Sequence, residues 1–86
     1  MKMIIAIVYD NDADTLTQAF TADGFRVTRV SSTGGFLRIV VVTMLLGVED
    51  DQVDAVINTV RQALPSKGDK KRATVFVVPV SHFEQV

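Results

Sequence analysis

The chain has no cysteine, no tryptophan, two prolines and one histidine, His82, among its 86 residues. Without cysteine there is no disulfide and no thiolate metal site. A Ser/His/Asp triad would have to use His82, and no nucleophile elbow accompanies it. A metal needs at least three ligands, and one histidine with Met1, Met3 and Met44 has no ligand spacing. A phosphate-binding P-loop and a G-x-G-x-x-G fingerprint are also missing. Asp10, Asp12 and Asp14 lack the glycine and terminal glutamate of a calcium loop; capping of a helix is their expected role. The chain is therefore not expected to be an enzyme, and no cofactor or metal is expected.

Excess charge is lacking too. Nine Lys and Arg stand against ten Asp and Glu, for a net charge of −1 and a pI near 5.6. That argues against a broad electrostatic footprint for DNA or RNA, yet leaves room for a local cationic site that holds a small phosphorylated ligand. No apolar run reaches the length of a membrane span. The N-terminal run Met3–Val8 is about six residues long and is followed by Tyr9-Asp10-Asn11-Asp12. It reads as a buried first strand rather than a signal peptide. A cytoplasmic protein of one small domain, over residues 1–86, is expected. A chain of this size buries a modest core, for which oligomerisation is an aid.

What is present is a sequence of well-marked elements. Residues 2–9 are rich in Ile and Val and read as a strand. Leu16, Ala19 and Phe20 mark an amphipathic helix over 13–23, and Gly24 is a natural residue to end it. Phe25 to Val30 alternates with period two, which puts Arg26 and Thr28 on one face and Phe25 and Val27 on the other. Leu37 to Val48 is apolar on both faces, with Thr43 as its polar break. A strand apolar on both faces must be covered on both. Two helices cover only one face of a four-stranded sheet, so the other calls for another subunit. Glu49-Asp50-Asp51 suits a helix N-terminus, and Val53, Val56, Ile57, Val60 and Leu64 form the stripe of that helix. A short polar loop, Pro65–Lys71, leads to a last strand, Ala73–Val80. The order β-α-β-β-α-β is that of a ferredoxin-like α+β fold, an antiparallel sheet with two helices on one face.

Between the second and third strands lies Thr33-Gly34-Gly35-Phe36-Leu37-Arg38. Paired glycines are ordinary hairpin residues. They also let backbone N–H groups approach a ligand closely, and here an aromatic ring and a cation follow at once. Such a set suits a planar base carrying a phosphate.

With these segments laid out, the chain resembles the P-II-like cyclic-di-AMP receptor family, the PstA or DarA type. The similarity runs through the N-terminal strand to Asp10, then Phe25-Arg26-x-Thr28, Ser32–Arg38, Gly47-Val48-Glu49-Asp50 and Ala73–Val80, with Phe83 and Gln85 in the tail. It implies a cytoplasmic P-II-like homotrimer whose sheets face a central axis, serving signal transduction through an unknown protein partner, with no nucleic acid or membrane involved. It also implies cyclic-di-AMP, or a related small nucleotide, bound in the cleft between subunits. By position, Arg26 and Thr28 would meet phosphate and ribose. Gly35, Phe36 and Leu37 would offer backbone N–H groups and a stacking surface. Gly47 would let a base come close, and Phe76 and Gln85 would complete the site. A guanidinium pairs strongly with phosphate, and stacking of a base on an aromatic ring contributes roughly 1–3 kcal/mol.

The chain departs from the family's pattern in three places. Val40-Val41 stands where the family carries Gly-Asn, so Val41 lacks the amide that suits an adenine edge. Pro65–Lys71 replaces a longer loop. Arg72 stands where a glycine precedes the alanine of the last strand. Two readings follow: a nucleotide-binding signalling protein with weakened affinity, or a ligand-independent trimeric scaffold that has lost the site.

Overall fold

The computed structural model describes residues 1–31, 41–65 and 71–86. Their order is β1 (Lys2–Tyr9), α1 (Asp10–Ala22), β2 (Thr28–Ser31), β3 (Val41–Val48), α2 (Val53–Ala63) and β4 (Ala73–Pro79), with one 3-10 turn at Asp50–Gln52 before α2. The four strands form one sheet in the order β2-β3-β1-β4. Every neighbouring pair is antiparallel: Ile5 lies across from Leu45 and from Phe76, and Thr28 across from Leu45. This is the expected α+β arrangement. Among the described residues, no helix is long and apolar enough to cross a membrane.

The alternation of strand side chains divides the sheet into two faces. Ile4, Ala6 and Val8 of β1 and Val42, Met44, Leu46 and Val48 of β3 are buried against Ala13, Leu16 and Phe20 of α1 and Val56, Val60 and Leu64 of the α2 side. Burying each of the larger side chains contributes about 1.5–3 kcal/mol, so this layer is the source of the subunit's stability. The opposite face carries Met3, Ile5 and Ile7, which are only half-buried.

Local chemistry sets the element ends. Gly24 has φ +86°, a conformation that costs glycine little. Around it the Phe25 N–H donates to the Phe20 carbonyl at 2.9 Å and the Gly24 N–H to the Thr21 carbonyl at 3.0 Å, the paired bonds of a Schellman ending. The same bond moves the start of β2. Phe25 to Val27 lie outside the ladder, which begins at Thr28 instead of the expected Phe25. The alternation nevertheless persists: Phe25 and Val27 pack against the core, and Arg26 is exposed. At the other helix, the Glu49 N–H donates to Gln52 Oε1 at 2.9 Å. Acidic residues crowd that N-terminus, where the macrodipole favours them. Leu64 leaves the helical region at φ −128°, ψ 68°, as a residue before proline does. The Thr59 hydroxyl, buried on α2, donates to the Asp23 carboxylate at the end of α1 and ties the helices together.

The capping role expected of the acidic residues after β1 is corrected. Helix α1 starts at Asp10, and no side chain caps its N-terminus. Asp12 is instead buried and paired with Arg72, whose guanidinium lies 2.8 Å from its carboxylate. Arg72 also donates to the Pro65 carbonyl at 3.3 Å. One side chain thus ties α1 to both ends of the short connection between α2 and β4. The hydrogen bond that it donates to Asp12 holds the Arg72 guanidinium above its ordinary value.

Candidate functional site

The open face of the sheet is built by the strand register. Thr28 and Val30 come from β2; Val41, Thr43, Leu45 and Gly47 from β3; Met3, Ile5 and Ile7 from β1; Thr74, Phe76 and Val78 from β4. Most of these are apolar, and among the described residues no helix lies over them. Phe76 is 51% exposed in the isolated chain, a large value for an aromatic ring amid apolar neighbours.

At one end of this face lies a cleft of about 550 Å³. Its floor is Met3, Leu45 and Gly47, with Thr28 on one side and Val78 on the other. The chain after β4 forms the far wall through Ser81, His82 and Phe83. Gly47 presents bare backbone to the cleft: a Cβ placed there would meet only the Met1 side chain, at 3.7 Å. A planar ring could approach the backbone at that point. Met1 is held over the cleft by its α-amino group, 3.0 Å from Asp50. That hydrogen bond, with the ammonium charge, holds the Asp50 carboxyl below its ordinary value. His82 lies 3.3 Å from Glu84 at the rim.

The residues singled out in the sequence fall into four groups. Thr28 and Gly47 line the cleft together. Arg26 stands two residues before Thr28, exposed, and has no ion pair among the described residues. Arg29 points to the other side, where it meets Asp14 of α1 at 2.8 Å. Arg26 is thus an exposed cation just ahead of β2, and it is not among the residues that line the cleft. Three other residues are not brought there. Val41 sits on the same face at the opposite end of β3, six residues and about 20 Å of strand from Gly47. Phe76 lies across from Ile5, midway along the face. Gln85 is in the exposed tail, two residues past Phe83. Gly35, Phe36 and Leu37 lie outside the described residues.

Met3, Leu45, Val78 and His82 join the cleft without having been singled out. Period-two counting along β1 and β3 would have found Met3 and Leu45. No local pattern marks His82, which comes to the cleft through the path of the tail.

One wall of the cleft is apolar with a bare glycine, and the Thr28 hydroxyl stands at its edge. Val41 lies at the far end of the face from the cleft, and Phe76 stands two residues along β4 from Val78, which lines it.

The family model for the cyclic-di-AMP receptor matches residues 1–70. Among solved structures, the chain is similar to a functionally unknown protein from Pediococcus pentosaceus ATCC 25745. The two are 34% identical and superpose with a TM-score of 0.82, over 99% of this chain and 96% of that one. The family match, over most of the chain, and the structural likeness agree: the chain belongs to the cyclic-di-AMP receptor family.

Proposed function

We propose that three copies of this chain close their open sheet faces around a common axis and bind cyclic-di-AMP at each subunit boundary, as a signalling protein. The observation that carries this reading is the open face itself: an apolar surface ending in a cleft that holds Thr28 and Gly47, in a chain of a receptor family. Assembly would cover Ile5, Ile7, Leu45 and Phe76. It would also bring the Arg26 end of one subunit toward residues of its neighbour. Arg26 pairs with a phosphate, Thr28 holds a ribose hydroxyl or phosphate oxygen, and the base lies over Gly47. No covalent chemistry is required of any of these groups.

A second reading is favoured by one observation. Val41 lies on the open face with an apolar side chain where the family's pattern has asparagine. A lost polar contact in a buried site costs about 1–3 kcal/mol, or roughly ten- to a hundredfold in affinity. With Arg72 fastening the short connection, the chain would then be a trimeric scaffold that needs no ligand. Calorimetric titration with cyclic-di-AMP separates the two. The receptor reading expects saturable binding with one ligand per chain. No heat at near-millimolar ligand, in a protein that still assembles, would leave the scaffold.

A further inference from the structure

We propose that His82 is a second cation for the cyclic-di-AMP cleft, one that protonation switches on, so that the ligand is held more tightly as pH falls. The inference rests on the receptor reading above and deepens it. A cyclic dinucleotide carries two phosphodiester groups, both anionic near neutral pH. Taking such a charge out of water without a partner is costly, so the site needs donors or positive charge for both. Arg26 can meet one phosphate, but it stands ahead of β2 and outside the lining of the cleft. Thr28 and Ser81 line the cleft with neutral hydroxyls. Among the described residues that line it, His82 is the one whose side chain can take a charge.

The path of the chain brings it there. Strand β4 ends at Pro79, and the Val80 N–H then donates to the Met1 carbonyl at 3.1 Å. That bond holds the tail against the start of β1, and Ser81, His82 and Phe83 follow as the cleft wall. His82 Nε2 lies 3.3 Å from the Glu84 carboxylate, and both side chains are largely exposed, at 78% and 68%. An exposed pair of this kind contributes little to stability. A phosphate entering beside Thr28 can therefore take the Nε2–H from Glu84 without unpacking the core. A hydrogen bond from an imidazolium to phosphate is charge-assisted and stronger than one from a neutral ring.

The charged groups at this end of the sheet are few. Glu84 is the anion beside the ring. The Met1 α-amino group, at the same cleft, is paired with Asp50 at 3.0 Å. Lysine and arginine side chains keep their charge around neutral pH, so Lys2 of β1 and Arg26 carry no pH response there. Histidine is the side chain that changes charge in that range, and an α-amino group also titrates there. Met1 is thus the alternative source of any pH response, and only a substitution at His82 separates the two.

The test is calorimetric titration of the whole protein with cyclic-di-AMP at about pH 8 and about pH 5.5. The unmodified protein should bind about fivefold or more tightly at the lower pH. At neutral pH, its binding heat should differ between buffers of different ionisation heat, because binding takes up protons. His82→Gln should bind with one affinity at both pH values and take up no proton. His82→Lys should also lose the pH response, yet bind more tightly than His82→Gln at the higher pH. Both variants should keep the thermal midpoint and sedimentation of the unmodified protein, because the ring is exposed. Saturable binding that does not change with pH overturns the proposal and leaves the receptor reading standing. So does a pH response that survives in His82→Gln, which would assign the proton to the Met1 α-amino group. No saturable heat at either pH overturns the receptor reading and this inference with it.

Discussion

The two faces of the sheet are made of the same strands and nearly the same residue types, yet they differ in what covers them. On the helix side, Ile4, Val42, Met44 and Leu46 are essentially inaccessible. On the other side, Ile5, Ile7 and Leu45 are half-buried, although each lies next in sequence to a residue of the first set. Along β1 and β3 both faces are apolar, with Thr43 as a polar interruption. A strand facing water on one side alternates apolar with polar, and these two do not. The helix side stabilises the subunit; on our reading the open side stabilises the assembly and shapes the ligand cleft. Substitutions one residue apart should therefore have different consequences.

The largest effect should come from the helix side. Phe20→Ala removes a fully buried ring and should lower subunit stability by about 3–5 kcal/mol, read from denaturant unfolding. Next is Ile5→Lys on the open face. An unpaired buried charge costs several kcal/mol, so sedimentation should report dissociated chains while circular dichroism keeps the native spectrum. If Ile5→Lys instead unfolds the chain as Phe20→Ala does, the two faces are not separable.

Smaller effects concern the cleft. Arg26→Ala should abolish cyclic-di-AMP binding by calorimetry and leave the thermal midpoint nearly unchanged, because an exposed cation adds little to stability. Loss of assembly in this variant would make Arg26 a subunit-boundary residue instead. Val41→Asn should tighten cyclic-di-AMP about tenfold or more, by supplying the amide that valine lacks. No change, in a variant that still assembles, would mean that Val41 is not what weakens the site.

How much of this could be read in the sequence follows from the range of each interaction. The order of the elements, the Gly24 helix ending and the opposite directions of Arg26 and Arg29 are local, so periodicity and turn residues expose them. The start of β2 is less legible, because the Phe25 N–H is taken by the carbonyl of Phe20. The Asp12–Arg72 pair joins residues 60 positions apart, and no window of the sequence contains both. Thr28 and Gly47 meet because β2 and β3 pair in a particular register. Val41, Phe76 and Gln85 do not line the cleft with them in one chain; on the proposed reading a neighbouring copy supplies them, and no pattern along one strand records that.

Whether the open face is an interior surface is tested most directly by sedimentation equilibrium of the unmodified protein at micromolar concentration. The account predicts a single species of three times the 9.4 kDa chain mass, unchanged on dilution through that range. A stable species at the mass of one chain would contradict it, because Ile5, Leu45 and Phe76 would then face water in the working protein.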